Sequence, residues 1–137
     1  MSLCTIDTNV AVYAFSPLSG KAALAERALA DADFVSVQLL NEFALVAKRK
    51  MRLDWPDVLA QVARLRAAVD LVLPLDEIAH KGALRIAARY LLPFYDSLML
   101  SVALIGGART FYSEDLQHGL LIDDTLRVVD PFLSDQP

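Results

Sequence analysis

The sequence predicts an α/β fold built on a mainly parallel sheet. Three observations carry that prediction. Short β-branched or apolar runs alternate with longer helical segments, the order expected when helices cover a sheet. Turn signals at Ser16-Pro17-Leu18-Ser19-Gly20, Leu91-Leu92-Pro93-Phe94 and Gly106-Gly107 punctuate the alternation. No internal repeat, low-complexity tract or long linker interrupts it. The 137 residues, 55% of them hydrophobic, suit one domain spanning residues 1–137 around one core.

Leu3–Ile6 reads as the first strand. After the Ser16–Gly20 loop, Lys21–Ala30 reads as an Ala-rich helix. Phe34-Val35-Ser36-Val37 is a short strand that feeds a helix over Gln38–Lys50. A second helix follows over Trp55–Val69, with Asp54 as its N-cap and Pro56 tolerated in its first turn. Leu71–Leu75 is the third strand, Pro74 placing its end near a sheet edge. Asp76 caps a helix running to Tyr90, and Pro93 disfavours helix in the residue before it. Asp96–Ile105 is the next helix, stopped by Gly106-Gly107. Arg109–Ser113 and Leu126–Val129 supply strands four and five.

Four acids stand where carboxylates are hard to explain as ordinary surface charge. Asp7 ends the first strand, and in open parallel sheets ligands gather outside the carboxyl ends of strands. An Asx turn or a helix cap explains Asp7 equally well. Glu42 falls on an apolar helix face between Leu45 and the pair Leu39/Val46, where burial would strip its solvation. The blander account of Glu42 is a salt bridge to Arg49 or Lys50. Asp96 opens a helix apolar on most sides, so its burial draws the acid inward. The helix dipole alone would also favour an acid there. Asp115 follows strand four as Asp7 follows strand one, while Glu114 alternates to the other side as a solvated acid.

The joint case is stronger than its parts. Two carboxylates ~4 Å apart repel by about 4 kcal/mol at an effective dielectric near 20. A group of them takes up protons or recruits a cation. Oxygen donors suit Mg²⁺ or Mn²⁺, and no Cys/His set has zinc spacing; His80 and His118 are read as non-ligands.

Composition bounds the remaining classes. The net charge of −4 argues against a generic nucleic-acid binder, an objection that weakens if the acids surround a metal ion. Lys48, Arg49, Lys50 and Arg52 concentrate positive charge near the end of a helix, where they complement its dipole or meet phosphate. Mean hydropathy of +0.40 suggests apolar surface covered by a partner or a second copy. No apolar run reaches the roughly 18 residues of a membrane span, so no membrane association is expected. The start of the chain lacks signal-peptide character, and the lone Cys4 suits a reducing, cytoplasmic setting.

Taken in order, these elements resemble a PIN domain, specifically the small VapC-like ribonuclease toxins of prokaryotic toxin–antitoxin pairs. The resemblance rests on Asp7-Thr8-Asn9-Val10 after a first strand and on Glu42 in the helix after Ser36-Val37-Gln38. It continues through Asp96-Ser97-Leu98 and Ser113-Glu114-Asp115-Leu116-Gln117-His118-Gly119. Val128-Val129-Asp130-Pro131-Phe132 is similar to the family's last strand and its Asn-Pro-Phe ending, with Asp130 in place of Asn.

The resemblance implies a three-layer α/β/α sandwich whose five-stranded parallel sheet has the order 3-2-1-4-5. It implies metal-binding and catalytic roles for Asp7, Glu42, Asp96 and Asp115, with Asn9 and Ser113 supporting them. It further implies Mg²⁺ or Mn²⁺ as cofactor, an RNA substrate, a cognate antitoxin and a homodimer. A non-catalytic PIN-type scaffold is the competing class, disfavoured because all four acids are present. A phosphotransfer enzyme is the other alternative, but aspartate-nucleophile phosphatases carry a second Asp where this chain has Asn9.

Overall fold

The computed structural model describes residues 2–133. Its main sheet starts from β1 (Leu3–Ile6), which pairs in parallel with β4 (Ala108–Tyr112). On the far side of β4 lies β6 (Leu126–Val129), also parallel, and β5 (Leu121–Ile122) closes the edge antiparallel to β6. A separate parallel pair joins β2 (Val35–Ser36) to β3 (Val72–Leu73).

The α/β architecture is as expected, and the neighbour relations 3-2 and 1-4-5 are present among the expected strands. The single five-stranded parallel ladder is not. A four-stranded sheet and a two-stranded one replace it. The reason lies where β1 meets the chain before β2. The Asp33 carboxylate accepts from the Cys4 N–H, and Thr5 Oγ1 donates to the Phe34 carbonyl. One backbone bond, from the Asp33 N–H to the Cys4 carbonyl at 2.9 Å, spans that seam, while side chains occupy the neighbouring groups that ladder pairing would otherwise use. The extra strand β5 turns back into β6 through Asp123 and Asp124, both at positive φ.

Among the described residues, six helices surround the strands: α1 (Thr8–Ala14), α2 (Ala22–Asp31), α3 (Val37–Arg49), α4 (Trp55–Ala67), α5 (Glu77–Tyr90) and α6 (Phe94–Ile105). Their starts follow capping chemistry. Ser36, Asp54 and Asp76 each accept a backbone N–H three residues on, satisfying donors that the helix cannot. Helix α1 has no counterpart among the expected helices, and α6 begins two residues before Asp96, leaving that acid in its first turn.

Ser97 through Ala103 of α6 are all buried, as the composition of that helix requires. Ile6, Val10, Phe43, Leu100, Phe111 and Leu126 belong to the principal core cluster. Gly82 lets α5 approach α6, because a Cβ there would overlap the Ser101 hydroxyl, which itself donates to the Ala79 carbonyl. No single helix among the described residues is long and apolar enough to cross a membrane.

Gly106 ends α6 against Phe34 and Leu73, and an added Cβ would overlap both side chains. Its φ of −76° is ordinary, so the constraint is space. Gly106→Ala is therefore expected to destabilise the fold by about 1–3 kcal/mol through overpacking. Urea denaturation measures it, and an unchanged midpoint would show that the β2–β3 pair yields freely.

Candidate active site

The strand order places the ends of β1 and β4 side by side, with Asp7 N–H donating to the Tyr112 carbonyl at 2.8 Å. The chain leaves both strands there, and Asp7 and Ser113 meet. Asp7 is only 6% exposed and Ser113 is fully buried. Ser113 Oγ donates to Asp7 Oδ2 at 2.8 Å and accepts the N–H groups of Asp115 and Leu116. Asp7 Oδ1 accepts the Thr8 N–H at 2.8 Å, so Asp7 also caps α1. The cap and the site are the same carboxylate.

Asn9, the second residue of α1, ties the strand ends together. Its amide nitrogen lies 3.4 Å from Asp7 Oδ2, 3.4 Å from Ser113 Oγ and 3.2 Å from Asp115 Oδ2. Its amide oxygen accepts the Glu114 N–H, which fixes which way the amide faces. Glu42 reaches the group from α3. Thr8 Oγ1 donates to Glu42 Oε1 at 2.7 Å, and Gln38 Nε2 donates to Oε2 at 3.0 Å. The salt bridge to Arg49 or Lys50 that sequence considerations allowed is replaced by these neutral donors. Thr8 and Gln38 are site residues that the sequence did not single out.

Electrostatics show the acids sensing one another. Burial, partly offset by the donors from Ser113 and Thr8, pushes the Asp7 carboxyl up to about 6, with Asp96 and Glu42 adding repulsion. Asp96, half-buried in the first turn of α6, is raised by burial, then by the charges of Glu42 and Asp115. Each of the four acids named from the sequence thus lies within electrostatic reach of at least one other, and Glu42 and Asp115 line the same groove. Glu114 does not behave as a solvated acid. It pairs with Lys21 and accepts from the Tyr13 hydroxyl at 2.9 Å, and the Lys21 bond holds its carboxyl below the usual range. Alternation along β4 does not predict this, because the strand ends at Tyr112.

The donor chemistry fits a hard cation, since every candidate ligand atom is a carboxylate oxygen. Among the described residues, no three His, Cys, Asp or Glu side chains stand close enough to close a cage around an ion. Glu42 and Asp115 already hold side-chain donors, whereas Asp96 accepts no hydrogen bond among the described residues. Beside the acids opens a groove of about 540 Å³ between α1 and α3. Val12, Tyr13, Leu45 and Val46 wall it, and Lys50 lies along it with Glu42 and Asp115.

Ser113→Ala tests the junction. It leaves the Asp115 and Leu116 N–H groups without their acceptor and strips Asp7 of a hydroxyl donor. The expected cost is about 1–3 kcal/mol. The Asp7 carboxyl should also titrate higher than in the wild type, because the lost bond favoured the ionised form. Carboxyl NMR titration reads the second effect, and an unmoved midpoint would contradict it.

A groove lined by acids beside the adjacent ends of β1 and β4 in an α/β sandwich is the class of site the fold defines. The sequence matches the PIN domain family model over residues 4–119, and the chain belongs to that family. Among solved structures, it is similar to VapC20 of Mycobacterium tuberculosis, described as a sarcin-ricin loop cleaving toxin. That match has a TM-score of 0.66 and 20% identity, covering 82% of this chain and 89% of the other. A toxin–antitoxin complex from Klebsiella pneumoniae matches with TM-score 0.67 and 19% identity, over 96% of this chain and 98% of that one. VapBC2 from Rickettsia felis, bound to a DNA fragment from its promoter, matches with TM-score 0.67 and 15% identity, over 93% and 99%. At these identities the likeness speaks to the fold. No curated protein matches the sequence.

Proposed function

We propose that this chain is a metal-dependent ribonuclease, the toxin of a type II toxin–antitoxin pair. The observation that carries the reading is the buried Asp7 at the end of β1, hydrogen-bonded by Ser113 and Thr8 and within electrostatic reach of Glu42 on α3 and Asp96 on α6. The described toxin structures that share the fold support the biological setting.

Asp7 and Asp96 are the direct ligands, and Glu42 and Asp115 bind directly or through water. Bound Mg²⁺ or Mn²⁺ supplies acidification of a water and charge stabilisation at phosphoryl oxygens. Ser113 and Asn9 donate to Asp7 Oδ2 and fix the orientation of the carboxylate that would hold the ion. Thr8 and Gln38 steady Glu42, so the carboxylate enters the site preoriented. The substrate is a single-stranded or looped RNA, whose bases are free to stack. The cognate antitoxin and a second copy of the chain are the expected partners, and exposed apolar side chains such as Leu18, Leu91 and Leu59 offer surface for them.

Incubation of purified protein with labelled RNA across a Mn²⁺ titration tests the reading. Metal-dependent cleavage leaving 5′-phosphate ends is expected. Intact RNA at every Mn²⁺ concentration, with the protein folded, would favour the scaffold instead.

A further inference from the structure

Glu42, Val46 and Lys50 follow one another at four-residue intervals on α3 and its C-cap, and all three border the groove. At 1.5 Å per residue, Lys50 stands ~12 Å along the helix from the acidic end. A stacked strand rising about 3.4 Å per nucleotide covers that distance in roughly three or four steps.

The groove is charged oppositely at its two ends. Asn9, Glu42 and Asp115 mark the acidic end and Lys50 the basic one, with Val12 and Val46 between. Among the described residues the ion pairs are Lys21–Glu114, Lys81–Glu77 and Arg85–Asp123, so no carboxylate neutralises Lys50. Arg49 and Arg52 lie beside it in the chain, likewise outside those pairs. Lys48 differs, because its ammonium donates to the Leu53 carbonyl and lies over the Trp55 ring. A protein of net charge −4 thus keeps an uncompensated cation at the far end of the groove that begins at its acids. A channel with Glu42 and Asp115 at one end, an unpaired ammonium at the other and apolar side chains between matches a nucleic-acid strand running away from the acids, its sugar and base faces along the walls and a phosphate at the ammonium.

We propose that the α1–α3 groove carries the RNA on one side of the scissile phosphate, and that Lys50 binds a backbone phosphate about three nucleotides from the cut. The proposal rests on the ribonuclease reading above and adds the path and polarity of the substrate. Lys50 contributes affinity and register and takes no part in bond breaking.

The test uses the full chain with Mn²⁺ and a fluorogenic single-stranded oligoribonucleotide, chosen from a random pool as the one cut fastest. Lys50→Gln should raise KM about five- to tenfold with kcat within about twofold, and flatten the log–log salt dependence of KM by about 0.7. Lys50→Arg should restore most of the affinity. Lys81→Gln, on α5 and paired with Glu77, is the control and should leave both constants unchanged. A Lys50→Gln enzyme with wild-type KM and salt slope overturns the proposal, as does one that loses kcat alone. Inert wild-type protein overturns the ribonuclease reading itself; active wild type matched by Lys50→Gln overturns only the substrate path. Wild-type RNA kinetics combined with loss of binding to a captured protein partner would assign the groove to that partner.

Discussion

Asp7→Asn is expected to reduce RNA cleavage by at least about a thousandfold while making the metal-free protein more stable at neutral pH. The two effects have one cause. Burial raises the Asp7 carboxyl from 3.8 to about 6, so at neutral pH the folded state carries a charge it would rather not hold. In the unfolded chain that group ionises near 3.8. Between these values the folded state binds more protons than the unfolded one, so stability falls as pH rises from about 4 to about 6. Above that window the accumulated cost is about 3 kcal/mol, an upper figure because an amide also disturbs the donors from Ser113 and Asn9. Asparagine removes the charge and cannot ligate a hard cation comparably. Urea denaturation in chelator, at low and neutral pH, reads the stability arm. A variant that cleaves like the wild type would remove Asp7 from the chemistry.

Chelation is expected to bring cleavage to background, with Mg²⁺ or Mn²⁺ restoring it, and the restored activity should be steeply pH-dependent on the acid side. An ion must displace the Asp7 proton, so below about pH 6 the apparent Mn²⁺ affinity should drop up to tenfold per pH unit. Asp96, whose carboxyl is raised in the same direction, steepens the fall. The same linkage predicts that Mn²⁺ raises the melting temperature of the wild type at pH 7.5 far more than at pH 5, and does little for Asp7→Asn. Thermal melts across pH and Mn²⁺ concentration check this. A Mn²⁺ affinity flat between pH 5 and 7.5 would mean the ion binds elsewhere.

The residues that were legible in the sequence are those whose chemistry is local. Asp54 and Asp76 announce helix starts, Gly106-Gly107 announces a stop, and the apolar run after Asp96 announces burial; each stands as read. Helix α1 was hidden because seven residues rich in β-branched and aromatic side chains carry little helical periodicity, and its cap is the site acid itself. The broken ladder was hidden too, since the side-chain bonds of Thr5 and Asp33 that interrupt it depend on tertiary approach. Two-residue strands such as β5 leave no alternation to detect.

The site divides the same way. Asp7, Glu42, Asp96 and Asp115 could be picked out because each offends a local rule of placement. Their supporting partners offend none. Thr8 and Gln38 are ordinary helix residues until α1 and α3 pack together and direct both at Glu42. Glu114 finds Lys21 93 residues away, a separation no pattern along the chain can bridge.

Anomalous scattering from Mn²⁺-soaked crystals of the wild-type protein addresses the shared acidic pocket most directly. An anomalous peak in direct contact with the Asp7 and Asp96 side chains is expected, and its loss in Asp7→Asn. Ordered crystals with saturating Mn²⁺ and no peak between those two carboxylates, or a peak that persists unchanged in the variant, would contradict it.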